Sequence, residues 1–272
     1  MDLEATFGRS QPIVGMVHLD PLPGAPKFDG DRAAVIERAR ADASALEAGG
    51  VDAVMVENFG DAPFYPDDVP KHVVASMTRA AGAVVDEVDL PVGVNVLRND
   101  AAADLAVAQA VGAEFMRVNV HTGARVADQG IIEGKAYETM RERERLDADV
   151  AVFADTDVKH SAPVAAEDFT AESFADNVER GLADATVVSG MGTGHAVDRE
   201  ELQRAADRRE EFGLDVPLFV GSGVTADTVG GILSIADGVI VGTALKSGSA
   251  SGDPVSEQRT RELVAAADEV RQ

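Results

Sequence analysis

The chain has 272 residues, 45% of them apolar, with no cysteine, no tryptophan and a formal net charge of −24. That length is the usual size of one (β/α)8 domain and is enough for a substantial core, whereas the charge opposes binding to nucleic acid or an anionic membrane surface. The lack of cysteine excludes disulfides, thiolate metal sites and a thiol nucleophile, and no run approaches the roughly 20 apolar residues that span a bilayer.

In chain order, Met1 to Thr6 has neither a basic n-region nor an apolar h-region, so a cytoplasmic location is expected. Apolar runs bounded by Gly, Pro or Asp then recur: Ile13 to Leu19, Ala53 to Val56, Val92 to Leu97, Phe115 to Val120, Val150 to Ala154, Thr186 to Ser189, Leu218 to Val220 and Gly238 to Val241. Their near-continuous Val/Ile content predicts strands covered on both faces, as in a parallel sheet. Helix-period segments lie between them. In Asp31 to Ala48 the residues Ile36, Ala39, Ala43 and Leu46 share a face, Leu202, Ala205 and Phe212 do so later, and a closing helix is expected from Pro254 to Val270. Eight strand–helix pairs predict a single (β/α)8 TIM barrel over residues 1–272. A Rossmann-like sheet is disfavoured because Asp20 to Gly24, after the first strand, is not a G-x-G-x-x-G turn. The long connections Asp20 to Gly30, Phe59 to Pro70, His121 to Glu133 and Thr156 to Thr170 are expected to be irregular βα loops on the active face.

The most specific chemical signal is at the ends of strands seven and eight. Gly221, Ser222 and Gly223, then Gly242 and Thr243, let backbone N–H groups approach an anion, and a following helix N-terminus is expected to add its dipole. A phosphate site is predicted there; tight strand-to-helix turns alone would use the same glycines. After strand five, Asp155 is expected in the mouth with Lys159 a few residues on. Only five lysines serve the chain, so Lys159 reads as an anion partner or a Schiff-base amine, against a solvated loop residue paired with Asp155 or Asp157. Strand ends elsewhere offer His18, Glu57, Asn58, Asn95, Arg117 and Asn119, not all of which can face inward. Asp155 and Lys159 are the candidates to supply acid–base or carbonyl chemistry, Glu57 and Asn95 to orient hydroxyls and Asn119 to bind the ligand; His18 could serve as acid, base or metal ligand, and His18 with Glu57 is the alternative catalytic pair. Gly190, in the glycine-rich stretch from Ser189 to His195, is a candidate anion nest or lid hinge. No motif calls for a cofactor; a divalent metal through His18, Glu57 and Asp155 is an alternative lacking H-E-x-x-H spacing.

The stretch Gly15 to Pro26, with its Met-Val-His-Leu-Asp-Pro-Leu-Pro-Gly core, and Ala154 to His160 resemble the opening and strand-five motifs of the BtpA/SgcQ family. The likeness continues through Ser189-Gly190, Thr193-Gly194, Gly221 to Gly223 and Val241 to Thr243, in order along nearly the whole chain. It implies a (β/α)8 fold. The family's namesake is associated with photosystem I biogenesis and other members with sugar metabolism, so the resemblance implies no single reaction. The expected function is therefore an enzyme acting on a small phosphorylated sugar or nucleoside-derived metabolite by aldolase-, epimerase- or isomerase-type chemistry. The alternatives are a non-catalytic assembly factor and a flavin-binding barrel. A homo-oligomer is compatible with either. The acidic, lysine-poor composition further suggests a halophilic, salt-adapted source.

Overall fold

The computed structural model describes residues 1–157, 160–164, 170–189 and 198–271. Its strands are β1 (Ile13–His18), β2 (Ala53–Glu57), β3 (Val92–Asn95), β4 (Phe115–Val118), β5 (Ala124–Ala127), β6 (Gly130–Glu133), β7 (Ala151–Asp157), β8 (Ser161–Pro163), β9 (Ala185–Val188), β10 (Leu218–Val220) and β11 (Gly238–Val241). The helices are α1 (Leu3–Phe7), α2 (Arg32–Gly49), α3 (Lys71–Val85), α4 (Ala101–Val111), α5 (Ala136–Leu146), α6 (Thr170–Glu179), α7 (Arg199–Glu211), α8 (Val229–Leu233) and α9 (Glu257–Asp268). Eight strands close into a barrel in the order β1-β11-β10-β9-β7-β4-β3-β2, every pair parallel. All eight expected apolar runs are barrel strands.

Local chemistry sets where the helices begin and end. Asp31 accepts from the backbone N–H groups of Ala33 and Ala34, Asp100 from Ala103 and Asp198 from Glu200, each satisfying donors that a helix start leaves open. Gly50 and Gly112 end α2 and α4 in the left-handed conformation. The closing helix differs from expectation: it starts at Glu257 under a Ser256 cap, because Val255 is instead paired with Lys246 across a return loop.

Two apolar layers result. One lies between the strands and the helix ring and includes Leu46, Met77, Leu105 and Leu202. The other fills the barrel with Val14, Met16, Met55, Phe115, Phe153, Val187, Phe219 and Ile240. Phe7 of α1 closes this inner core from below, edge-on to Phe115, Phe153 and Phe219 with centroids 5.5 to 6.5 Å apart. The rings need room from small neighbours, since a Cβ on Gly93 would lie 2.3 Å from Phe115 and one on Gly238 2.4 Å from Phe219.

The connections after β4 and β7 are not wholly irregular, which corrects the sequence expectation. They build a three-stranded antiparallel sheet, β6-β5-β8, over that part of the mouth. Asp128 and Gln129 form the tight turn between β5 and β6, with Gly130 at φ +103°. One face buries Ile132 against Val120 and Ala127, while Val126 and Ile131 stand exposed on the other.

Candidate active site at the barrel mouth

Period-two alternation carries the inner apolar layer one step further into a polar one. Two residues beyond Met16, Met55, Gly93, Phe115, Phe153, Val187, Phe219 and Ile240 stand His18, Glu57, Asn95, Arg117, Asp155, Ser189, Gly221 and Gly242, one from each barrel strand or its immediate end. Asn58 is out of phase, as alternation requires. It accepts from the Leu97 N–H at 2.7 Å and donates to Asp61 at 3.1 Å, bracing the loop after β2.

Asp155 is buried at the centre of the strongest cluster. Arg117 grips it through two parallel bonds, Nε to Oδ1 at 2.8 Å and Nη2 to Oδ2 at 2.9 Å. Asn119 Nδ2 at 3.1 Å and Ser189 Oγ at 3.3 Å also donate to Oδ2, and Asn177 Nδ2 reaches the Asp155 backbone carbonyl at 3.3 Å. Burial alone would lower the Arg117 pKa, but the charge and hydrogen bonds of Asp155 outweigh it and raise the value, so the guanidinium stays charged although buried. With its oxygens so engaged, Asp155 fixes Arg117 and Asn119 in place.

His18 and Glu57 make the second cluster. Nδ1 of His18 lies 2.9 Å from the Ser251 carbonyl, and a carbonyl only accepts, so Nδ1 carries hydrogen. Nε2 is thereby the nitrogen that gains and loses a proton, and it stands 3.6 Å from Glu57 Oε2. The other Glu57 oxygen accepts from Asn95 Nδ2 at 2.8 Å, and Phe59 stacks on the imidazole at 4.7 Å. An imidazole and a carboxylate fixed this way form a unit that can take a proton from one atom and return it to another. Asp155 is turned into Arg117, and among the described residues no three His, Cys, Asp or Glu side chains are placed to hold a metal ion.

Two cavities open on this polar layer. The first, about 390 Å³, is lined by His18, Glu57, Arg117, Gly221 to Thr225 and Gly242 to Ala244, with Arg259 at its edge. The backbone N–H groups of Ser222, Gly223, Val224, Thr243 and Ala244 donate to no protein acceptor among the described residues, and Ser222 Oγ is buried without a partner. Gly223 has φ +81°, a conformation that disfavours any side chain. The expected helix dipoles are displaced, since α8 starts only at Val229 and a short 3-10 turn, Thr243–Leu245, follows β11. The second cavity, about 380 Å³, shares Glu57, Phe59 and Arg117 and adds Phe64, Arg98, Asn119, Asp128 and His160. His18, Glu57, Asn95, Asn119 and Asp155 thus come together with the Gly221 and Gly242 turns, whereas Lys159 and Gly190 lie outside the described residues.

The model of the BtpA family matches residues 9–269. The chain belongs to the BtpA family. It is 50% identical over 262 residues to an uncharacterised protein of Thermococcus kodakarensis, covering 96% of this chain and 97% of that one. To the photosystem I biogenesis protein BtpA of Synechocystis it is 46% identical over 246 residues, 90% of this chain and 84% of the relative. Among solved structures, thiamine phosphate pyrophosphorylase from Pyrococcus furiosus superposes with a TM-score of 0.58 at 15% identity over 96% of both chains. The N-(5'-phosphoribosyl)anthranilate isomerase of that organism superposes with 0.58 at 12% identity, over 96% of this chain and 100% of the other. At such identities the likeness establishes the TIM-barrel fold alone.

Sequence reading did not reach several residues of this BtpA family site. Arg98, Asp128 and His160 reach the mouth from loops, and Ser251 arrives from the return loop before α9. No spacing marks Arg98, Asp128 or Ser251, whereas His160 closes the Ala154 to His160 motif and Ser189, two residues beyond Val187, continues an inward-facing row.

Proposed function

We propose that this BtpA family barrel is an enzyme that holds a small phosphorylated sugar or nucleoside-derived metabolite by its phosphate and moves a proton on a carbon next to a carbonyl, as isomerases, epimerases and aldolases do. The observation that carries this reading is the His18–Glu57 pair in the wall of the same cavity whose rim is the run of unengaged N–H groups after β10 and β11. Phosphate accepts hydrogen bonds from such groups without needing a side-chain cation. The reactive carbon then lies beside His18 and Glu57, Asn95 holds Glu57 in orientation, and the Arg117–Asp155 pair offers guanidinium hydrogens to developing negative charge. Lys159 remains the proposed amine if the reaction is of the aldolase type, and Gly190 a proposed contributor to anion binding.

A melting series in high salt tests this reading. A phosphorylated ligand at 100 times its Kd stabilises the fold by about 2.7 kcal/mol, a rise of several degrees, while its dephosphorylated counterpart does not. For an active ligand, Glu57→Gln is expected to keep binding and to slow deuterium wash-in from heavy water by about 10²- to 10⁴-fold. The absence of a shift with every phosphorylated compound removes the reading. It then favours the assembly-factor alternative, supported by the Synechocystis relative's name and by the exposed Val126, Ile131 and Val164. A flavin-binding barrel would instead purify yellow.

A further inference from the structure

The second cavity of the mouth has a role that the phosphate reading does not use. It borders the first cavity, sharing Glu57, Phe59 and Arg117 with it, and so lies within reach of a ligand anchored at Gly221 to Thr243. Its polar groups are acceptors and donors in balance. Asn119 donates its amide hydrogens towards Asp155, which settles the orientation of the amide, and leaves Oδ1 buried with no donor among the described residues. A buried acceptor of this kind costs about 1–3 kcal/mol unless a ligand hydrogen satisfies it. Asp128, at the tip of the β5–β6 turn, adds a carboxylate, and Glu57 borders the cavity on the barrel side. The donors are Arg98 and Arg117, both buried, and His160.

We propose that this second cavity seats the hydroxyl-bearing end of a sugar phosphate, with sugar O–H groups donating to Asn119 Oδ1 and Asp128 and sugar oxygens accepting from Arg98. A hydroxyl is the ligand group that donates and accepts at once, which is what a wall carrying both an orphaned acceptor and a guanidinium requires. A second phosphate or a carboxylate would bring no hydrogen to the Asn119 carbonyl oxygen, which has no donor among the described residues, whereas a hydroxyl does. The proposal rests on the phosphate reading of the first cavity, and it narrows the substrate to a phosphorylated polyhydroxy compound with the reactive carbon between the two ends.

Affinities measured by calorimetry in high salt test it, with inorganic phosphate, ethyl phosphate and ribose 5-phosphate as probes. Ethyl phosphate and ribose 5-phosphate bring the same phosphate group and differ in hydroxyls. Ribose 5-phosphate is expected to bind about tenfold or more tightly than ethyl phosphate, one or two good hydrogen bonds' worth. Asp128 is exposed at a turn, so Asp128→Ala is expected to fold normally, to erase most of that preference and to leave ethyl phosphate affinity within about twofold. Asn119→Ala should reduce the same ratio. Equal binding of the two esters, or an Asp128→Ala variant that retains the full preference, overturns the proposal and leaves the phosphate site standing. Failure of all three probes to bind overturns both.

Discussion

Lys246 shows how a single residue acquires a property that its neighbours in sequence do not announce. It follows β11, is fully buried, donates from Nζ to the Met16 carbonyl at 3.0 Å and lies 3.6 Å from Asp42 Oδ2. Burial lowers its pKa to about 8, with Asp42 pulling the other way. The unfolded chain keeps this proton up to about pH 10.5, so between about pH 8 and 10.5 the folded state holds fewer protons than the unfolded one. Stability contributed at this site therefore rises with pH across that window, by about 3 kcal/mol at most. Denaturant unfolding in high salt at about pH 7.5 and 9.5 should show the gain, and Lys246→Met should abolish it. An unchanged pH dependence in the variant would assign the slope to other groups. Lysine scarcity drew attention to Lys159, but it applied equally to Lys246, whose burial depends on Asp42 more than 200 positions away.

At the scale of elements, the strands were legible because both of their faces are apolar, and α2 and α7 because their apolar residues recur on one helical face. The short helix α1 and the β5–β6–β8 sheet were not. A five-residue helix has no full amphipathic repeat, and strands of three or four residues in a mouth loop carry no long alternation. Yet α1 has a definite task, since Phe7 completes the aromatic floor of the barrel. Phe7→Ala should cost about 3–5 kcal/mol in chemical denaturation, through lost burial and the cavity left behind. Ligand affinity at the opposite end of the barrel should be unaltered, so a variant that loses binding in proportion to stability would contradict the separation of floor and mouth.

For the molecule as a whole, the net charge of −24 is the dominant electrostatic fact. Acidic side chains crowd helix faces such as that of α7, where Arg204 is paired with Glu200 only at 3.9 Å between exposed groups, a contact of little worth. Mutual repulsion then opposes the folded state in dilute buffer and is screened in molar salt, where the Debye length is about 3 Å. The melting temperature is expected to rise markedly from dilute buffer to molar potassium chloride. A flat response would show that the surface charge is not under strain and would withdraw the inference of a salt-adapted source.

The amino-acid sequence by itself determined the barrel, its strand count and the glycine turns after β10 and β11, because these follow from local patterns of apolarity and backbone freedom. It also supplied His18, Glu57, Asn95, Asn119 and Asp155 as inward candidates. Only the tertiary structure decided their division of labour. Asp155 is engaged by Arg117 because the neighbouring strand β4 brings the guanidinium within 2.8 Å, while the tautomer of His18 is set because a return loop from the far end of the chain puts the Ser251 carbonyl against Nδ1. Alternation tells which way a side chain points, but the charge or acceptor it meets there is set by strands and loops remote in sequence.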